Sequence, residues 1–342
     1  MSGDTQNPAT IVQSNPMMTH IGDGLHVAIN GWFAGDTTSG TGQYTNHILR
    51  HLPSIGTGLR ITLLAPRHVQ VGADLPPGVT VLHLALPPLP ENLAKLWFEQ
   101  VAVPRAVKHI GAGVLWTPYW AAPWWQPAPT VVTIHDLIPL LLPVYRGGLL
   151  QRGYTWLVSR TARKAAAVIA VSQATAKDIA AHLHIPPAHI HVIHHGPNQE
   201  GGAPPTAAEM ADVRARYNLP ARFFLYLGGF DARKNVPRLL AAYRCYLDQG
   251  GDPAVKLVLA GRLPTVDSAF FPDPQKIAGE LQHDEQVHFC GYIAEADKPV
   301  LNALALAFFF PSLYEGFGMM LLEAMQAGAP VVTSDGGEEV RG

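Results

Sequence analysis

The sequence predicts an α/β protein built of two doubly wound domains. Short apolar and β-branched runs alternate with helical patterns through both halves of the chain. The stretch 197–206, PNQEGGAPPT, has Pro, Gly and polar residues with no apolar period, and reads as a linker between the halves. The clearest unit lies at 308–334, FFFPSLYEGFGMMLLEAMQAGAPVVTS. There an apolar run stops at Pro311, a helical pattern ends at Gly328 with Pro330 just beyond, and a second β-branched run follows. A strand, a helix and a strand in that order wind a parallel sheet.

Residues 1–20 are polar, lack a basic start and an apolar segment, and are expected to form a disordered tail. The first domain is expected at 21–196. Its first strand is 25–30, LHVAIN, and the loop 35–42, GDTTSGTG, leads into a helix from Gln43. A glycine-rich loop between strand and helix suits a phosphate, and Gly40 and Gly42 fit the first half of a dinucleotide fingerprint. Thr45 stands where its third glycine would be, so a flexible turn is an equal reading. Runs at 61–65 and 79–84 are further strands. A helix over 91–108 follows the turn PPLP. Its Leu93, Leu96, Trp97, Val101 and Val103 read as core packing, because Lys95, Arg105 and Lys108 are too few to make a basic membrane-facing side.

The next stretch, 114–129, is VLWTPYWAAPWWQPAP. Aromatics braced by prolines suit stacking on sugar rings or meeting a lipid-linked acceptor; a loop burying its own indoles is the other reading. A buried-type strand at 130–134 ends at His135-Asp136, and 165–172 is another strand before a helix at 174–183. Six histidines fall between His182 and His195, with His189 and His191 on one strand face, yet no carboxylate or Cys stands near them at ligand spacing. That stretch reads as a strand and an interdomain turn, and no metal is expected.

A linker is expected over 197–216 and the second domain over 217–342. Strand 222–227 closes on Gly228-Gly229, strand 255–260 on Gly261-Arg262, and strand 287–289 on Gly291-Tyr292. Arg233 and Lys234 stand just ahead of a helix with Pro237 in its first turn, where proline is tolerated. Two cations at a helix amino terminus make a diphosphate site, since charge, dipole and free amides act together; a solvated basic pair is the alternative. In the 308–334 unit, Glu315 lies in the loop after the first strand and Glu323 on the second helical turn. Gly316 and Gly318 flank Phe317 between them, leaving amides open to an anionic or hydroxylated ligand.

Two glutamates separated by seven residues in the setting PSLYEGFGMMLLEAMQAGAPVV resemble the signature of the family 4 retaining glycosyltransferases (group 1, mannosyltransferase-like) with the two-domain GT-B fold. The resemblance implies two Rossmann-like domains facing a cleft and a hexose, best matched by mannose, moved from a nucleoside diphosphate sugar to a saccharide or lipid-linked acceptor in polysaccharide biosynthesis. GDP-mannose is the favoured donor and a UDP-sugar the alternative. It implies Glu315 and His135 as the catalytic pair at the donor hexose. Donor contacts would come from Gly40, Gly42, Gly229, Arg233, Lys234, Gly316, Phe317, Gly318 and Glu323, the last for the ribose. No Asp-x-Asp motif occurs, so neither metal nor cofactor is expected. The resemblance covers about residues 25–342, and the family continues past 334 with further elements. The C-terminal domain is therefore expected to be incomplete, with loop residues missing before Glu338, and a sugar-nucleotide-binding fragment without turnover is the alternative function.

Composition narrows the classes. Charged residues are 15% and the net charge is −2, which gives no overall electrostatic footprint for nucleic acid. An incomplete Gly-x-Gly-x-x-Gly argues against a nicotinamide-dependent oxidoreductase. No run approaches eighteen apolar residues, and Cys245 and Cys290 are the only thiols. A cytoplasmic location is expected, with peripheral contact at the inner membrane face left open.

Overall fold

The computed structural model describes residues 24–55, 58–71, 75–197, 203–282 and 284–334. The expected tail at 1–20, part of the linker and the stretch around Glu338 lie outside the described residues.

Two all-parallel sheets organise the chain. The first holds β1 (His26–Asn30), β2 (Arg60–Pro66), β3 (Val79–Leu84), β4 (Val114–Thr117), β5 (Thr130–Ile134), β6 (Ala167–Ala170) and β7 (Ile190–Val192), in the order β3-β2-β1-β4-β5-β6-β7. The second holds β8 (Arg222–Leu227), β9 (Val255–Ala260), β10 (Val287–Gly291), β11 (Ala307–Phe310) and β12 (Val331–Thr333), in the order β10-β9-β8-β11-β12. Strand order reverses between β1 and β4 in one sheet and between β8 and β11 in the other. Loops on either side of such a switch part at the carboxyl ends of the strands and leave a crevice there. β1 is buried at every residue and β2 at all but its first, as parallel strands covered on both faces must be.

Helices cover both faces of each sheet. The first domain carries α1 (Gly40–Ile55), α2 (Glu91–Trp97), α3 (Val103–Ile110), α4 (Ile138–Leu141), α5 (Leu149–Ala162) and α6 (Gln173–Leu183). The second carries α7 (Ala207–Arg216), α8 (Val236–Asp248), α9 (Pro274–Glu280), α10 (Lys298–Leu304) and α11 (Met319–Gln326). On one side of the second sheet, Leu301 of α10 and Leu321 and Ala324 of α11 pack on Phe223, Phe308 and Phe310. Val236, Leu239 and Tyr243 of α8 cover the other side against Tyr226, Leu257 and Leu259.

Three sequence expectations change. The aromatic stretch at 114–129 begins as β4, a central strand between β1 and β5. Trp116 and Tyr119 are core residues: the indole N–H of Trp116 donates to Thr133 Oγ1 at 3.0 Å, and Tyr119 OH donates to Glu99 Oε1 at 2.9 Å. The helix expected over 91–108 is α2 and α3 joined by a π turn at Phe98–Ala102, where the Val103 N–H reaches back five residues to Phe98 O. Pro104 has no N–H to continue the ordinary ladder, and the wider turn accommodates it. Residues 207–216, placed in the linker, form α7. Thr206 and Glu209 cap it reciprocally, and α7 packs beside α10.

Candidate active site

The carboxyl ends of the two sheets face each other across a cleft of about 680 Å³. Gly40, Thr41, Gln43 and Tyr44 of α1, His135-Asp136 after β5 and His194-His195 after β7 line one wall. Arg233-Lys234 after β8 and Glu315 to Met320 after β11 line the other. Of the residues expected at the site, the fold gathers Gly40, His135, Arg233, Lys234, Glu315, Gly316, Phe317 and Gly318 in this one place.

The cations are held by the turn that presents them. Ala232–Lys234 is one 3-10 turn ending at Asn235, whose backbone is left-handed (φ 55°) and whose side-chain Nδ2 donates to Pro311 O at 3.1 Å. The turn is thereby tied to the loop that follows β11. Glu315 answers both cations: Lys234 Nζ lies 2.7 Å from Oε1, and the Arg233 guanidinium pairs with Oε2. The three side chains are 13–15% exposed, so the triad is largely desolvated. Arg233 also donates to Tyr314 O at 3.3 Å and stands 3.5 Å from Asp231 Oδ1. Burial works against the Arg233 charge, but Glu315 and Asp231 outweigh it and raise its pKa. Burial pushes the Asp136 carboxyl the other way, above the usual carboxylate range, with the Ile138 N–H and Arg233 only partly opposing it.

The opposite wall is aromatic. His135 donates from Nε2 to Pro118 O at 2.9 Å, which leaves Nδ1 as the acceptor of a neutral ring, and burial lowers its pKa. Its ring stacks on His195 at 5.4 Å between centroids, and Tyr44 meets both edge-on at 4.8 and 5.0 Å. Phe317 from the other domain stands edge-on to His195 at 5.0 Å. Burial, with His135 and His194 nearby, holds His195 down at about 3. Sequence reading missed Tyr44 and His195. The available signal was position: Tyr44 sits one turn inside the helix that Gly40 begins, and His195 follows β7 at the same sheet edge as His135.

The glycines have separate reasons. A Cβ on Gly316 would fall 1.7 Å from His135 O, so only glycine lets the two walls meet there. Gly318 caps α11 with φ 71°. Gly42 does not face the cleft: a Cβ there would meet Asp36 O at 2.2 Å, so it permits close packing of the 35–42 loop. Asp36 braces that loop by accepting from the Thr38 and Ser39 amides and hydroxyls, and these bonds lower its pKa to about 2. The loop is therefore a built turn rather than a slack one.

Other expected residues fall elsewhere. Gly229 is exposed at the end of β8, its carbonyl accepting from Tyr226 OH, and is not a cleft-lining residue. Glu323 lines a second groove of about 610 Å³ with Lys298 and Glu295, because the helical turn between Met319 and Glu323 directs it away from Glu315. Arg262 lies over the Tyr292 ring. Trp124 lies with Thr130, the first residue of β5, at the sheet edge opposite the cleft, and is no part of this site.

Polar contacts close the domains over the cleft. Thr175 Oγ1 lies 3.1 Å from Gly316 O, Tyr314 OH donates to Asp178 Oδ2 at 2.7 Å, and Tyr145 OH donates to Asp231 while accepting from the Arg233 N–H at 3.0 Å.

Residues 212–341 match the family described as "Glycosyl transferases group 1", and residues 38–200 match "Glycosyltransferase Family 4". The O-antigen chain mannosyltransferase B of Escherichia coli is 34% identical over 133 residues, 39% of this chain and 34% of that protein. The serotype-specific mannosyltransferase WbdA of Escherichia coli is 31% identical over 218 residues, 61% of this chain and 26% of that protein. The chain thus spans about a third or less of the length of these two relatives. Among solved structures, sucrose-phosphate synthase from Thermosynechococcus elongatus superposes with a TM-score of 0.67 at 21% identity, covering 92% of this chain and 82% of that one. HepE of Anabaena, in complex with UDP and glucose, superposes with a TM-score of 0.62 at 17% identity, covering 93% and 82%. These likenesses concern the fold. The chain belongs to the group 1 glycosyltransferases of family 4 and has their two-domain GT-B fold.

Proposed function

We propose that the chain is a retaining glycosyltransferase that moves a hexose, mannose by preference, from a nucleoside diphosphate sugar to a saccharide or lipid-linked acceptor. The observation that carries this reading is the meeting of Arg233 and Lys234 with Glu315 in the cleft between the domains. A nucleoside diphosphate supplies the anionic charge that such a pair of buried cations needs. In the proposed complex the diphosphate takes over Arg233 and Lys234, and Glu315, released from them, holds the donor hexose hydroxyls. The Gly316 to Gly318 amides and Gly40 border the hexose and phosphates, neutral His135 lines the sugar pocket, and the nucleoside runs along the first turn of α11, past Met319 and Met320.

As the bond from C1 of the hexose to the phosphate oxygen breaks, negative charge grows on the leaving diphosphate. Arg233 and Lys234 are preorganised to stabilise it. The acceptor hydroxyl attacks C1 on the face that the phosphate leaves, and the phosphate oxygen takes its proton, so the anomeric configuration is kept. The names of the mannosyltransferase relatives support mannose, and GDP-mannose is the donor we favour. HepE with UDP makes a UDP-sugar the alternative. Among the described residues no helix is long and apolar enough to cross a membrane. We place the protein in the cytoplasm, peripheral at the inner membrane face where a lipid-linked acceptor would be met.

The test is calorimetry with GDP, UDP and ADP, followed by incubation with the matching donor and determination of the product's anomeric configuration. One nucleotide binds and an α-linked hexose appears if the reading is right. No binding to a folded chain overturns it, and binding without transfer replaces it with a sugar-nucleotide-binding fragment.

A further inference from the structure

The Tyr145 hydroxyl crosses from the first domain to the turn that presents the cations, and no step of the proposed reaction uses it. Tyr145 ends a 3-10 turn at Pro143–Tyr145, between α4 and α5, and its own N–H donates to Leu142 O at 3.0 Å. Its ring lies 4.6 Å from that of Phe270, and Phe270 O accepts the Ala232 N–H at 2.8 Å. Phe270 belongs to the loop between β9 and α9, which is braced in turn: Asp267 accepts the Asp273 N–H at 3.1 Å and pairs with Lys276 at 2.9 Å. The tyrosine is thus set against the second domain by a built loop.

The hydroxyl accepts the Arg233 N–H at 3.0 Å and donates to Asp231 Oδ1. That same oxygen stands 3.5 Å from Arg233 Nε, longer than an ordinary N–H···O bond. Arg233 Nε is buried, and among the described residues it has no hydrogen-bond partner. A buried guanidinium N–H without a partner is costly, and the neighbouring carboxylate is the obvious group to close on it. Asp231 instead stays with Tyr145. Burial, and then the bond to Asp231, push Tyr145 up to about 12, so the hydroxyl keeps the proton it donates. The Arg233 and Asp231 side chains are 15% and 16% exposed, which leaves water little room to replace either partner.

We propose that Tyr145 is a positioning residue of the transfer reaction: its hydroxyl holds Asp231 off Arg233 Nε and so keeps this N–H available to the donor diphosphate. The inference rests on the donor site proposed above and adds to it a residue from the facing domain. Without the hydroxyl, Asp231 closes on Nε and competes with the phosphate for Arg233, as Glu315 does at Nη1. Tyr145 lies on the first domain, whereas Asp231 and Arg233 lie on the second. Arg233 therefore offers its full set of donors only where the two domains meet. A clasp that served the fold alone would have no use for the unpartnered Nε–H beside it.

The experiment is a double-mutant cycle on the full chain, read by calorimetry with GDP, or with UDP where only UDP binds. Tyr145→Phe keeps the ring on Phe270 and should weaken the nucleotide about 3- to 10-fold, the effect of losing one hydrogen bond. Asp231→Asn removes the competing charge, and its gain in affinity should be at least about threefold larger in the Tyr145→Phe chain than in the parent. Circular dichroism and melts establish that the variants fold. On the parent chain, NMR with labelled arginine should show the Arg233 Nε–H resonance, assigned by its loss in Arg233→Lys, shift and gain protection from exchange as nucleotide is added. Should Tyr145→Phe fail to fold, this resonance decides. Effects of the two substitutions that simply add, a Tyr145→Phe affinity equal to that of the parent, or an Nε–H resonance untouched by saturating nucleotide each overturn the proposal. A parent chain that binds neither nucleotide sinks the donor site and this inference with it, whereas binding with an additive cycle removes only the role of Tyr145.

Discussion

Substituting Lys234 and substituting Glu315 should move nucleotide affinity in opposite directions. Lys234→Ala removes one of two cations and leaves Glu315 paired with Arg233 alone. A charge-assisted hydrogen bond of this kind contributes about 1.5 to 3 kcal/mol, so nucleoside diphosphate affinity should fall roughly 10- to 150-fold. Glu315→Gln instead leaves both cations in place and removes the carboxylate that competes with a phosphate for them. At 13–15% exposure these groups interact through a medium of effective dielectric far below that of water. Without ligand the variant should lose about 3 kcal/mol of stability, the usual order when a buried pair loses one partner. A bound diphosphate restores the partner, so its affinity should hold or rise while transfer of the hexose fails. Calorimetry with GDP and thermal melts with and without it measure both arms. A Lys234→Ala variant within twofold of the parent, or a Glu315→Gln variant that loses nucleotide binding while folded, would refute the assignment of the triad.

Three further outcomes follow from the same contacts. Gly316→Ala must displace the loop from His135 O, so small-angle scattering should show a more open pair of domains and transfer should drop at least about tenfold, with nucleotide affinity little changed because both cations lie on one domain. His195 has a folded pKa below its unfolded value, so its contribution to stability is present above about 6.5 and is lost as pH falls toward about 3. Melts should show a slope of about 1.4 kcal/mol per pH unit below 6.5 that His195→Gln flattens. Glu99 is fully buried, takes hydroxyl bonds from Tyr119 and Tyr154, and stands 3.3 Å from Lys95; Glu99→Ala should cost about 3 to 5 kcal/mol in urea unfolding, and a cost under 1 kcal/mol would show that the network relaxes freely.

The parallel strands were legible because buried strands read as short apolar runs between glycines and prolines, as at 222–227 and 255–260. β4 was not, since four residues of strand run directly into a segment dominated by tryptophan and proline. At the site, Arg233, Lys234, Glu315 and His135 each sit where a strand ends, so motif and position agreed. Tyr44 and His195 reach the cleft only through tertiary packing of α1 and the β7 end, which no local pattern encodes. The spacing of the two glutamates suggested a common target, yet Glu315 precedes α11 and Glu323 lies a turn inside it, so their side chains serve different grooves. Gly316 was read as a source of open amides; the nearness of the His135 carbonyl supplies a second reason for glycine that only the facing domain reveals.

The triad also explains how such a site persists without its ligand. Two adjacent cations with nothing anionic beside them would repel one another and disfavour the turn that presents them. Glu315 supplies the missing charge, and it is carried by the loop that Thr175, Asp178 and His195 hold against the first domain. Pairing the carboxylate with the cations therefore also fixes the loop that meets the first domain. A diphosphate that displaces Glu315 takes over the electrostatic role and frees the carboxylate, on the same loop, for the hexose. A substitution at Gly316, which touches no charge, therefore acts on transfer through the place of this loop against His135 O, whereas one at Lys234 acts on the nucleotide itself.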